Sequence, residues 1–321
     1  MDIFTMHFPV AGIDLNPFIP PVVGFLISVL TSMGGLSGAF LLLPFQMSVL
    51  GFVSPAVSPT NQIFNVIATP SGVYRYIREG RMVFPLAWIV IVGTLPGVII
   101  GAFVRIKWLS DPKQFQLFVA VVLGYMAFRM VQDYLKKRKS KGGNGAEERF
   151  NKLVKEHSKK SEIAGEPLPR VKMIRFDIHT VEYDFYGERF TIPVIPMTLV
   201  SFFVGIIGGI YGIGGAAIIA PIYVSFFGLP IYTVAGATLL GNFATSIVGV
   251  GVYQYLARTS TTDLQIGPDW GLGILFGIGG VVGMYVGARL QKHLPAGFIK
   301  WVIISCILFL CGRYVISFFG I

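Results

Sequence analysis

Apolar runs of about twenty residues, the length a helix needs to cross a hydrocarbon layer roughly 30 Å thick, recur along the chain and restrict its fold more than any other feature. Ser54–Tyr74, Val83–Val104, Phe115–Tyr134, Tyr232–Leu256, Trp270–Leu290 and Phe298–Phe318 each read as a simple membrane span, and several carry no Asp, Glu, Lys or Arg. Only 13% of the 321 residues are charged, against about 25% in an average soluble domain. No single water-soluble core could hide so many such segments. The expected class is an all-α integral membrane protein.

Two further runs, Pro20–Leu50 and Ile192–Phe227, are too long for one span and are interrupted by glycines, in SMGGLSG (Ser32–Gly38) and YGIGG (Tyr211–Gly215). A glycine inside a helix costs roughly 1 kcal/mol relative to alanine. Each run therefore reads as a broken helix or a re-entrant hairpin. Together with three simple spans per half, this predicts about eight to ten helices.

The halves are related. Gly35, Gly38, Ala39, Pro44, Ser48, Gly51, Val57 and Asn65 recur 177 positions later as Gly212, Gly215, Ala216, Pro221, Ser225, Gly228, Val234 and Asn242. The ladder Gly93, Gly97, Gly101 returns as Gly279, Gly283, Gly287, and Gly72-Val-Tyr-x-Tyr76 returns as Gly251-Val-Tyr-x-Tyr255. Three regions are predicted: a membrane repeat over 1–135, a basic cytoplasmic insert over 136–191 and a second repeat over 192–321.

Charge sets the expected orientation. The excess of basic over acidic residues gives a net charge of +10, and much of it lies between Lys136 and Lys160. That position, just after an apolar segment, fits the positive-inside bias and anionic headgroups better than nucleic acid. The insert and the loop with Arg75, Arg78 and Arg81 are then cytoplasmic, and both termini lie outside; Arg105, Lys107 and Lys113 dissent by falling outside. An odd number of simple spans per half makes the repeats inverted, an arrangement typical of secondary transporters. A cleaved signal is not expected, because Met1–Pro21 carries no Lys or Arg. The end of the insert, VKMIRFDIHTVEYDFYGERFTI, alternates apolar and polar residues around Gly187 and predicts a short β-hairpin.

The expected solute site lies at the breaks. Half-helix N-termini present free N–H groups and partial positive charge, suited to an anion, which singles out Gly35, Gly38, Gly212, Gly214 and Gly215. Each break is followed by an apolar helix bearing amides and hydroxyls, Thr60, Asn61, Gln62, Asn65, Thr69 and Ser71 in the first half and Thr238, Asn242, Thr245 and Ser246 in the second. Asn within a membrane must find partners, so the repeated Asn65 and Asn242 lead the candidates. The alternative for all of these is helix packing and interhelical hydrogen bonding.

Other chemistries find little support. Gly212-Ile-Gly214-Gly-Ala-Ala217 matches a dinucleotide-binding glycine pattern but follows a membrane segment, not a strand. His7, His157, His179 and His293 are scattered, and Cys306 and Cys311 share one apolar run. Neither an enzyme, a cofactor, a metal site nor a disulfide framework is expected. The absence of Asp or Glu from span centres argues against a carboxylate proton relay, and an anion leaving a negative interior moves downhill unaided.

SMGGLSGAFLLLP and YGIGGAAIIAP, followed by SPTNQIFNVIATPSGVY and AGATLLGNFATSIVGVGVY, resemble the sulfite exporter TauE/SafE family. The resemblance covers the membrane-embedded chain and leaves the basic insert unexplained. It implies a bacterial or archaeal inverted-repeat transporter that exports sulfite or an organosulfonate such as sulfoacetate. The partners so implied are a small anion and membrane lipid, with no nucleic acid; a homo-oligomer built on a lipid-facing glycine ladder stays open. The halves differ where Ser37 faces Gly214 and Pro59 faces Gly236 in the repeat alignment, so they need not contribute equally. A passive anion channel, an importer of another small anion and a non-transporting scaffold are the competing readings.

Overall fold

The computed structural model describes residues 5–33, 37–139, 170–216, 218–262, 264–290 and 296–319. Gly35 and most of the basic insert, 140–169, lie outside them. The described residues form ten helices and five short strands. An N-terminal hairpin of β1 (Met6–Phe8) and β2 (Ile13–Leu15) leads into α1 (Ile19–Met33), α2 (Ala39–Ser48), α3 (Val57–Arg78), α4 (Phe84–Lys107) and α5 (Pro112–Lys139). Strands β3 (Lys172–Phe176), β4 (Thr180–Phe185) and β5 (Glu188–Pro193) follow. The second half holds α6 (Val194–Tyr211), α7 (Ile219–Phe227), α8 (Ile231–Thr259), α9 (Trp270–Leu290) and α10 (Ala296–Phe319).

Among the described residues four helices are long and apolar enough to cross a membrane: Phe84–Lys107, Val194–Tyr211, Thr233–Thr259 and Trp270–Gly287. Their outward faces are apolar, with Trp88, Val92 and Phe103 on α4, Leu199 and Phe203 on α6, and Ile278, Val282 and Tyr285 on α9 all exposed. This apolar exterior is the reverse of a soluble bundle and suits contact with lipid. Both glycine-interrupted runs break as expected. Each gives one longer helix and then a short one, α2 and α7; ten residues of helix measure about 15 Å, half the hydrocarbon thickness.

The predicted span Ser54–Tyr74 is a helix, α3, but a polar one. Ser58, Thr60, Asn61, Gln62, Asn65 and Thr69 on it are all buried, because α8 and α9 pack along α3. Protein, not lipid, surrounds those amides.

The glycine ladders are where backbones meet. A Cβ on Gly93, Gly97 or Gly101 would come within 2.8 Å of the Thr198, 2.3 Å of the Phe202 or 2.4 Å of the Ile206 carbonyl oxygen on α6. Gly279, Gly283 and Gly287 meet the Pro21, Phe25 and Val29 carbonyls on α1 in the same way, at 1.8, 2.4 and 2.4 Å. Only glycine permits such approach. The ladders therefore bind α4 to α6 and α9 to α1 inside one chain, in parallel register, and do not face lipid. Between α3 and α8 the register is antiparallel: Gln62 abuts Gly249, and Leu239 abuts Gly72.

The expected hairpin around Gly187 is present as β4–β5, and β3 adds a third strand beside β4, all antiparallel. Tyr186 and Gly187 take left-handed φ of 59° and 81° in its turn. The sheet passes directly into α6 at Val194. It is tied to the bundle by the buried Tyr183 hydroxyl, 2.8 Å from Thr233 Oγ1; burial pushes this phenol up, and the Thr233 hydrogen bond partly opposes that. A Val171 N–H also donates to the Gly80 carbonyl at 3.0 Å, placing the sheet at the end of the bundle that carries Arg75, Arg78 and Arg81.

The β1–β2 hairpin was not foreseen. Its turn is held at the other end by Asp269, which accepts the Val10 and Ala11 N–H groups at 3.2 Å each. The same carboxylate caps α9 by accepting the Leu272 N–H at 3.0 Å.

Candidate functional site

The two breaks meet at the centre of the bundle, and α3 joins them. The Asn61 amide donates to the Ala39 carbonyl in the first break and to the Gly212 carbonyl in the second, both at 2.9 Å. Asn65 donates to the Ile213 carbonyl at 2.8 Å and accepts from Ser37 Oγ at 2.7 Å. Ser58 Oγ donates to the Ile210 carbonyl at 3.3 Å, and the Tyr211 hydroxyl returns across to the Phe40 carbonyl at 2.9 Å. A helix end leaves carbonyls without intrahelical partners; at the end of α6 those of Ile210, Gly212 and Ile213 are satisfied by Ser58, Asn61 and Asn65 of the first half.

Backbone shape explains why glycine occupies the second break. Gly212 and Gly214 both have φ of +78°, a left-handed conformation that ends α6. A Cβ on Gly214 would lie 2.1 Å from Asn242 Oδ1 and 2.7 Å from Ser246 Oγ. Gly215 donates its N–H to Thr245 Oγ1 at 3.1 Å.

The second half is differently satisfied. Asn242 and Ser246 are buried, yet Asn242 Nδ2 and Oδ1 and Ser246 Oγ have no hydrogen-bond partner among the described residues. The same holds for both amide atoms of buried Gln62. The Ser37 and Gly214 difference accounts for part of this. Ser37 supplies the donor to Asn65 Oδ1, whereas Gly214, its repeat equivalent, has no hydroxyl to offer Asn242. Buried polar atoms are ordinarily paired; these amide and hydroxyl groups keep their hydrogen-bonding capacity unspent among the described residues.

The sequence-selected residues thus divide. Asn61, Asn65, Gly38, Gly212, Gly214, Gly215, Asn242 and Thr245 come together at the breaks, whereas Gln62 lies against Gly249, further along α8. Thr60 does not join them: its hydroxyl donates to Ala56 O and accepts the Asp269 N–H, each at 2.8 Å. Thr238 bonds within its own helix, to the Ala235 carbonyl at 3.1 Å. Sequence reasoning did not single out Ser58, Tyr211, Tyr253 or Gln46, whose amide donates to Asn61 Oδ1 at 3.3 Å. A hydroxyl or amide inside an apolar run was the available signal. No group of three or more His, Cys, Asp or Glu able to hold a metal occurs among the described residues.

The profile of the sulfite exporter TauE/SafE family matches residues 21–314, nearly the whole chain. The chain belongs to this family. A curated relative, described as a probable membrane transporter protein, YdhB, of Bacillus subtilis (strain 168), is 30% identical over 124 residues, 37% of this chain and 47% of the relative. The match thus spans about half the relative's length. No solved structure matches the chain. Membership of the TauE/SafE family agrees with the apolar exterior of the helices. At the breaks both halves contribute polar side chains to a common buried centre.

Proposed function

We propose that the chain exports a small sulfur-containing oxyanion, sulfite or an organosulfonate such as sulfoacetate, by alternating access between two inverted repeats. The observation that carries the site is the set of unpartnered buried groups, Asn242, Ser246 and Gln62, beneath the second break. Amide and hydroxyl hydrogens there can meet the oxygens of an anion while the neutral lining avoids holding it too tightly. Asn65 and Asn61 serve the same centre by fixing the break carbonyls so that these point away from the solute.

The inverted arrangement draws support from helix direction. The repeat-equivalent α3 and α8 pack antiparallel, whereas each glycine ladder pairs its helix in parallel with the first helix of the other half. A two-fold axis lying in the membrane plane relates helices in this way. The sheet end, with Arg75, Arg78 and Arg81, is then cytoplasmic and the β1–β2 hairpin external.

Reconstituted protein tests the reading. Under an imposed potential, saturable flux of sulfite or sulfoacetate in preference to sulfate and acetate, lost in Asn242→Ala, is the expected result. No flux of any of the four from folded protein would remove the substrate class. Non-saturating flux without counterflow would favour a passive channel instead.

A further inference from the structure

Asn242, Ser246, Gly249 and Tyr253 succeed one another along a single face of α8. Each marks a buried polar group. Asn242 and Ser246 are unpartnered among the described residues, and Gln62, also unpartnered, lies against Gly249, 2.2 Å from where its Cβ would be. Tyr253 donates to the Gly209 carbonyl at 3.0 Å and lies within electrostatic reach of Arg105 and within hydrogen-bonding reach of Ser58. The face thus runs from the glycine break to the end of the bundle opposite the sheet.

Arg105 closes that line and has no exposed surface. Its guanidinium carbon sits 3.6 Å from the centroid of the Phe115 ring, and Nη1 donates to the Leu109 carbonyl. Nε and Nη2 have no partner among the described residues. These two nitrogens form the side-on fork that matches two oxygens of one oxyanion. A buried cation with its fork empty is costly and calls for a counter-charge. The described carboxylate nearest in sequence, Asp111, is exposed and accepts the Gln114 N–H at 3.0 Å.

We infer that Arg105 is a second anion station, holding a small oxyanion through Nε and Nη2 at the end of a polar path along α8. The station deepens the transport reading and rests on it for the identity of the solute. A solute leaving the neutral amides at the break meets a full positive charge a few turns further along, which draws anions and excludes cations and neutral molecules. The sequence holds Arg105 in an apolar helix end, where it violated the orientation rule; a binding role gives that departure a reason.

The test uses purified full-length protein, wild type, Arg105→Gln, Arg105→Lys and Asn242→Ala, melted in the presence of increasing sulfite, sulfoacetate, sulfate or chloride. Ligand that binds only folded protein raises the melting temperature with concentration. Arg105→Gln is expected to lower the apparent affinity for the oxyanions at least about tenfold, with Arg105→Lys intermediate because it keeps charge and loses the fork. A purely structural role would lower the anion-free melting temperature and leave the concentration dependence intact, which would overturn the inference. Should Arg105→Gln not fold, wild-type affinity in Arg105→Lys would overturn it equally. The two readings fail separately. Anion stabilisation through Arg105 without sulfite or sulfoacetate flux would sink the substrate and leave the station, whereas wild-type flux and affinity in Arg105→Gln would do the reverse.

Discussion

Asn65 and Asn242 occupy equivalent places in the repeats and do different work. Asn65 holds Ser37 and the Ile213 carbonyl; Asn65→Ala strands both in a buried site, at a cost of about 1–3 kcal/mol. A clear drop in melting temperature is expected. Asn242 makes no hydrogen bond among the described residues, so Asn242→Ala should melt close to wild type while losing transport. Measuring both properties in both variants separates scaffold from site, and the opposite pattern would reverse the assignment. Gly214→Ala is expected to fail more severely, since a Cβ at a φ of +78° would collide with Asn242 Oδ1; loss of folded protein on size-exclusion chromatography is the readout. The duplication in sequence made both asparagines visible. It could not show their inequality, because the groups that satisfy Asn65 come from two breaks far apart in the chain.

At the scale of elements, the glycine ladders carry the packing. Gly97→Ala would place a methyl 2.3 Å from the Phe202 carbonyl and force α4 from α6, and Gly283→Ala would do the same to α9 and α1. Overpacking of this kind costs about 1–3 kcal/mol, and similar losses in thermal stability are expected for the two ladders. Their four-residue spacing was legible as a packing surface, although which helix it packs against was not. The β4–β5 hairpin was equally legible from alternation around a glycine. Strands of three residues, as in β1 and β2, carry too short a pattern to recognise. What stabilises them is the Asp269 carboxylate more than 250 residues away, which accepts from Val10 and Ala11. Asp269→Ala removes that clasp and the α9 cap together, with an expected loss of about 1–2 kcal/mol in thermal unfolding.

For the molecule as a whole, the proposed orientation is tested by labelling. A cysteine at Gly12 in the first hairpin should react with an impermeant maleimide in intact cells, and one at Glu188 only after permeabilisation; the reverse would invert the protein and turn the proposed exit into an entrance. Membrane residence, the two halves, the two breaks and the amide-bearing helix after each were determined by the sequence alone. Each follows from local physics: the length of an apolar run, the helix-breaking cost of glycine, the rarity of an amide in lipid. Only the tertiary structure decided which amides are spent on break carbonyls and which stay unpartnered, and that Arg105 is buried at the end of their line. Those outcomes depend on contacts between opposite halves, where one hydroxyl at Ser37 and its absence at Gly214 separate a satisfied asparagine from an available one.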